Sequence, residues 1–290
     1  MRRTQAAALA AWAMLMPALL ISAVFFVAPL IYLLVDSFRA FSLTAGVGGF
    51  SIGNYRRLLT DAYYLGVLAN TFRLAVITTL LCLVIGYPLA LLLRHAPARV
   101  RGLLVIAVVA PLLVSVVVRT FGWVVILGEF GLLNRALQAL GFNGGFAATT
   151  HLFNETAVLV GLVHVFLPFM VLALYSALQK QPAALVRAAC SLGASPWRAF
   201  LLVTLPLSLP GVIAGTTTVF ALAAGAYVTV AVLGGSNVMV MAVLAYQQSI
   251  GLTNWQLGAA IGIVLLVGTT AILQAYQHAM RHLFPRVLES

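Results

Sequence analysis

Apolar residues along this chain gather in six long runs, and polar residues are largely confined to the stretches between them. The runs extend from Trp12 to Val35, Val67 to Leu93, Gly102 to Leu127, Thr156 to Leu178, Leu207 to Leu233 and Leu257 to Met280. A helix needs roughly 20 apolar residues to cross about 30 Å of hydrocarbon, and each run meets that length. The pattern predicts an all-α membrane protein with six transmembrane helices in a single domain over residues 1–290. The first run follows Arg2 and Arg3, as a secretory signal would, but it is far longer than the ~7–15 residues of a signal's apolar region. It passes through Pro29 into Tyr32 without a clear small-x-small cleavage site, so it reads as a retained span.

The segments between the runs differ in character. Residues 36–66 contain Asn54-Tyr55-Arg56-Arg57-Leu58-Leu59, which reads as a short amphipathic helix at the membrane interface. Residues 128–155 carry Gly131-Leu132-Leu133-Asn134 and a glycine-rich turn region from Gly141 to Gly145. Residues 179–206 are polar enough to leave the bilayer, yet they are patterned like ordered structure. Pro182 suits the first turn of a helix. Leu185, Ala188, Ala189 and Leu192 repeat at helical spacing, and Gly193 is a natural C-terminal stop. Ser195 then fits an N-cap with Pro196 at the first helical position. The second helix is expected from Trp197 to Val203, with an interruption near Leu205-Pro206. The result is an elbow of two short helices over residues 183–206. Its small residues Ala184, Ala188, Ala189 and Ala194 would let another protein approach the backbone closely; the plainer alternative is an ordinary loop between spans.

Composition sharpens this picture. The chain is 63% hydrophobic and 7% charged, against about 25% charged in a soluble domain, which excludes a soluble globular protein. The excess of 16 Lys and Arg over 5 Asp and Glu sets orientation and does not point to nucleic acid. With both termini cytoplasmic, the inner segments hold Arg2, Arg3, Arg94, Arg99, Arg101, Lys180, Arg187, Arg198, Arg281 and Arg286, with Glu289 as their one acid. Asp36, Asp61, Glu129 and Glu155 fall on the outer half beside Arg39, Arg56, Arg57, Arg73, Arg119 and Arg135. Cys82 and Cys190 have no ligand spacing around them, so neither a metal site nor a structural disulfide is expected.

The elbow also carries a resemblance. Ala188-Ala189, then Gly193, then Val203-x-Leu205-Pro206 is similar to the "EAA" motif of ABC importer permeases, in register over about 20 residues from Arg187. Asn54-Tyr55, Asn70-Thr71, Gly86-Tyr87-Pro88, Pro111 through Arg119, Gly131-Leu132-Leu133-Asn134 and Leu192 through Gly211 resemble the permeases of spermidine/putrescine-type importers. The resemblance implies a type I importer permease fold in a bacterial inner membrane. It also implies a second, homologous permease subunit, two cytosolic ATPases and a periplasmic substrate-binding protein. The elbow would be the coupling helix, with Ala184, Arg187, Ala188, Ala189, Gly193, Ala194, Ser195, Pro196 and Trp197 at the ATPase. No phosphate-binding G-x-x-x-x-G-K-[ST] occurs, so this chain is expected to bind no cofactor, with ATP and Mg on the partner ATPase. The solute implied is a polyamine; amino-acid-like and aminophosphonate-like solutes carried by similar permeases stay open. One departure stands out: Arg187 occupies the position of the family's glutamate.

Charged and polar groups within the spans are candidates for the solute pathway, because each is costly in hydrocarbon. Arg119 lies in the outer third of the third run and either lines the pathway or reaches out to headgroups. His164 either bonds between helices or meets solute. Glu129 and Glu155 flank the outer entrance as attractors for a cation or as ordinary loop carboxylates. Trp123 and Tyr227 could offer cation–π faces or belong to the interfacial aromatic belt. Thr217, within Thr216-Thr217-Thr218, marks the fifth run as cavity-lining. An intramembrane enzyme would need a catalytic partner for His164, and none is in register; H-E-x-x-H is also absent. An ion-coupled transporter usually places an acid near the bilayer midplane, and no run supplies one.

Overall fold

The computed structural model describes residues 12, 15–42, 46–141 and 151–284. Arg2, Arg3, Arg286, Glu289 and all but Gly141 of the glycine-rich run lie outside them. Among the described residues, six helical stretches are long and apolar enough to cross a membrane: Leu15–Ser37, Ala62–His95, Val116–Ala139, Glu155–Gln179, Pro196–Ala224 and Trp255–Leu283.

In chain order the elements are α1 (Leu15–Ser37), the strands β1 (Arg39–Ser42) and β2 (Gly46–Phe50), α2 (Gly53–Thr60) and α3 (Ala62–His95). There follow α4 (Ala98–Leu113), α5 (Val116–Leu127), α6 (Leu132–Ala139), α7 (Glu155–Gln179) and α8 (Ala183–Ser191). The chain continues with α9 (Pro196–Ala224), α10 (Val228–Gly234), α11 (Met241–Tyr246) and α12 (Trp255–Leu283). It forms two units, one of residues 1–65 and 244–264, the other of residues 66–243 and 265–290.

In the first unit, the apolar side chains of α1 are exposed, with Phe25 at 78% and Phe26 at 70%. Only lipid or an apolar partner can cover such a surface. The end of α1 is closed by Asn54, whose Nδ2 donates to the carbonyls of Ser37 at 3.1 Å and Arg39 at 3.0 Å. The Tyr55 hydroxyl pairs with Ser37 Oγ at 2.6 Å. The Asn54-Tyr55 pair thus satisfies groups that a helix C-terminus leaves open. α2 matches the short amphipathic helix expected there, and it buries Leu58. The antiparallel β1–β2 hairpin was not expected; Arg39 pairs with Phe50, and Ser42 with Gly46.

In the second unit, α7 runs through the core. Leu162, Met170, Leu174 and Leu178 on it are fully buried, together with Leu74 and Leu93 of α3 and Leu233 of α10. Three features depart from the sequence expectation. The run from Gly102 to Leu127 is two helices, parted at Val114 and Ser115, whose backbones are extended. Pro111 removes a donor from the last turn of α4, which weakens its continuation. The run from Leu207 to Leu233 is also divided, ending α9 at Ala224 and restarting α10 after Tyr227. Conversely, the interruption expected near Leu205-Pro206 is absent. A π-helical turn over Phe200–Thr204 carries the elbow's second helix without a break into the long span.

Candidate functional site

Local backbone chemistry builds the elbow. Pro182 caps α8 in an extended conformation. At the other end Gly193 adopts φ +88°, its N–H reaches Cys190 O at 3.0 Å, and the Ala194 N–H reaches Ala189 O at 3.0 Å. This pair of bonds is a Schellman closure, and its left-handed residue favours glycine. Ser195 Oγ then accepts from the Arg198 N–H at 3.3 Å, with Pro196 in the first turn of α9. The turn is therefore set by residues 182, 193, 195 and 196, each acting on its immediate neighbours.

Much of this elbow faces outward, although Ala199 and Thr204 are buried. Leu185 is 44% exposed, Leu192 89% and Trp197 66%. Ala184, Arg187, Ala188, Ser195 and Pro196 are exposed, while Ala189 and Ala194 are half-buried. The elbow thus presents an apolar ridge with two exposed cations, Arg187 and Arg198, and small residues between the larger ones.

A second constellation forms where α4, α5 and α7 meet. Arg119, Trp123 and His164 line one cleft of about 510 Å³ together with Pro111 and Gly122. Arg119 is only 9% exposed, and its Nη1 donates to Pro111 O at 2.6 Å. It therefore caps the open end of α4 across the break. Trp123 Nε1 donates to His164 Nδ1 at 3.1 Å, and the two rings meet edge-on at 5.5 Å. With Nδ1 accepting, a neutral His164 carries its proton on Nε2. Three of the residues picked out in sequence thus come together: His164 bonds between helices, and its ring also borders the cleft.

The remaining candidates lie elsewhere. Glu155 forms an ion pair with Arg73, so it is not a free attractor. Glu129 is exposed, and its carbonyl accepts from Asn134 Nδ2 at 2.8 Å. Tyr227 precedes α10 at the break after α9. Thr217 lines a different cavity of about 440 Å³ with Thr218, Gln277 and Arg281, and its Oγ1 is buried without a partner among the described residues. Sequence reasoning missed Asn70 and Thr71 as ties: Asn70 Nδ2 donates to Met239 O at 2.9 Å, and Thr71 Oγ1 accepts from the Met241 N–H at 2.9 Å. Their partners lie about 170 residues downstream, and no local signal marks such a contact.

The capping role of Arg119 has a direct consequence. Arg119→Met, which keeps the length but removes the donor, is expected to destabilise the chain by about 1–3 kcal/mol, because the charged donor is lost and the Pro111 carbonyl keeps only the longer bond from the Val114 N–H at 3.3 Å. Arg119→Lys should recover part of the loss. Thermal unfolding in detergent reads both, and equal melting of Arg119→Met and the parent would refute the cap.

Comparison with known proteins places these features. Residues 82–287 match the family model described as "Binding-protein-dependent transport system inner membrane component". The chain is 36% identical over 238 residues to the spermidine/putrescine transport system permease protein PotB of Escherichia coli (strain K12), covering 82% of this chain and 86% of that protein. It is 27% identical to the inner membrane ABC transporter permease protein YdcU of the same organism, covering 75% of this chain and 72% of that protein. Among solved structures, a chain of the bacterial alginate ABC transporter, in complex with alginate pentasaccharide-bound periplasmic protein, superposes with TM-score 0.78. That match has 17% identity and covers 94% of each chain. A chain of the inward-facing MetNI methionine ABC transporter matches with TM-score 0.58 and 19% identity, covering 75% of this chain and 94% of that one. At such identities these structures bear on the fold alone.

Proposed function

This chain belongs to the family of binding-protein-dependent transport system inner membrane components, and we propose that within an ATP-driven importer its solute is a polyamine of the spermidine/putrescine kind. The observation that carries the solute class is the 36% identity to PotB across 82% of the chain. In this reading a second permease subunit completes the pathway. A periplasmic protein delivers the solute, and two cytosolic ATPases supply ATP hydrolysis with Mg. Both termini face the cytoplasm, which puts the elbow on the ATPase side, in keeping with the basic residues gathered on those segments. The ridge of Leu185, Leu192 and Trp197 is the ATPase contact, and its exposure in the isolated chain supports that role.

A second reading keeps the importer and changes the solute. The cleft at Arg119 and His164 has no carboxylate among its lining residues, and its free donors suit an acceptor such as a carboxylate or phosphonate. A zwitterionic solute would fit it better than a pure polycation. Uptake into proteoliposomes decides between the two. The full complex with its binding protein should accumulate labelled spermidine or putrescine only with internal ATP, and excess amino acid or aminophosphonate should not compete. Uptake of a zwitterion with no polyamine transport would overturn the polyamine reading.

A further inference from the structure

We propose that Arg94, Gln181 and Thr204 form a latch that makes the elbow move as one body with the ends of α3 and α9. The proposal rests on the reading of the elbow as the ATPase contact. Gln181 immediately precedes the proline that caps α8. Arg94, in the last turn of α3, holds it twice: Nη1 donates to Gln181 Oε1 at 2.9 Å and Nη2 to Gln181 O at 3.2 Å. The Gln181 amide then donates from Nε2 to Thr204 O at 3.2 Å. Thr204, 6% exposed, is the last residue of the π-helical turn within α9, through which the elbow's second helix runs on into the span. One glutamine side chain therefore ties three segments together. A cation anchors it, and charge-assisted hydrogen bonds are the stronger kind.

The far side of the elbow is held by the same helix. Trp197 stacks on Phe200 at 5.4 Å, and Phe200 meets the edge of Tyr87 at 5.6 Å. The Tyr87 hydroxyl pairs with Ser208 Oγ of α9 at 2.6 Å. Tyr87 and Arg94 are seven residues apart on α3, two helical turns on one face. The aromatic contact holds the elbow after its bend and the Arg94–Gln181 contact holds it before. Before the bend, packing is looser, because a cavity of about 640 Å³ borders Lys180, Gln181, Pro182 and Leu207. A push on α8 is thereby passed to the end of α3 and to the turn at Thr204 through polar contacts that can be removed singly, whereas the second helix of the elbow is already continuous with α9. Arg94 and Gln181 are positioning residues: they touch neither the ATPase ridge nor the Arg119 cleft.

The test measures solute uptake and ATP hydrolysis in the same proteoliposomes, using the full complex with loaded binding protein. Gln181→Ala and Arg94→Ala should still co-purify with the ATPase and hydrolyse ATP. Their uptake per ATP should fall about tenfold, the scale of losing one charge-assisted contact. Gln181→Glu keeps the acceptor for Arg94 but loses the donor to Thr204, where two acceptors would then meet, so it should recover only part of the ratio. An unchanged ratio in both alanine variants overturns the latch. So does a proportional fall of uptake and hydrolysis, which a merely structural role would produce. Amide exchange on the purified chain without ATPase separates this from the reading beneath it. Residues 183–199 should exchange about tenfold faster in Gln181→Ala than in the parent. Faster exchange with no ATPase bound even to the parent chain would keep the latch and remove the ATPase contact; unchanged exchange would remove the latch.

Discussion

Gly211→Val is expected to remove folded chain from the membrane almost entirely. Gly211 lies on α9 where that helix crosses α7, and a Cβ there would sit 2.5 Å from Ala177 Cβ and 3.0 Å from Ala173 O. Neither neighbour is the tip of a flexible side chain. A β-branched residue could be admitted only by driving the two helices apart. Helices in membranes associate largely through close backbone packing at small residues, so this contact is not readily replaced by another. Overpacking a tight core costs about 1–3 kcal/mol even where side chains can yield, and here the backbone would have to yield. Gly215, one turn along, makes a useful comparison, because its Cβ would meet Met170 Sδ at 2.6 Å and methionine can swing aside. Gly215→Ala should therefore lower the melting temperature without abolishing the fold. Gly102→Ala, with nothing within 4 Å, should be neutral. Fluorescence-detected size exclusion and melting in detergent measure all three. A monodisperse Gly211→Val protein melting with the parent would show that the α7–α9 crossing is not as tight as the structure has it.

The contrast between Gly211 and the elbow explains what could be read from residues alone. The elbow was legible because Pro182, Gly193 and Ser195 each act on neighbours within a few positions, so its two helices and its turn could be placed in advance. The apolar runs were legible for a similar reason, since bilayer thickness imposes a length on each. The break at Val114–Ser115 was not. Both of its sides are equally apolar, and the proline that weakens the helix stands ahead of the break. The group that stabilises the open end, Arg119, lies eight residues beyond that proline. The unbroken passage through Leu205-Pro206 was missed because a π-helical turn has no compositional mark. The cleft was half legible. Arg119, Trp123 and His164 were singled out as costly polar groups in apolar runs, but only tertiary packing joins residues 41 positions apart, such as Trp123 and His164.

Leu192→Asp is expected to separate the chain from its ATPase while leaving the chain folded. Leu192 is the C-cap of α8 and is 89% exposed, so an aspartate there meets water in the free chain and should leave its melting temperature within about 1 °C, as surface changes away from packed features are nearly neutral. In the complex the same position would place an unpaired carboxylate in an apolar contact. Burying a carboxylate without a partner costs about 2 kcal/mol or more, and the lost apolar contact adds to that. Affinity for the ATPase should fall by at least about thirtyfold, with ATP-driven uptake falling alongside. Arg187 gives the counterpart. It stands where the motif that the elbow resembles has glutamate, and an exposed ion pair is worth only about 0–1 kcal/mol, so Arg187→Glu should leave assembly intact and change affinity by less than about tenfold. Titration of the purified chain with ATPase, at low and high salt, measures both variants. If Leu192→Asp bound as the parent does, the apolar ridge would not be the contact. If Arg187→Glu instead abolished binding, and salt weakened the parent complex strongly, the contact would be ionic, and the partner ATPase would have to carry an acid facing Arg187.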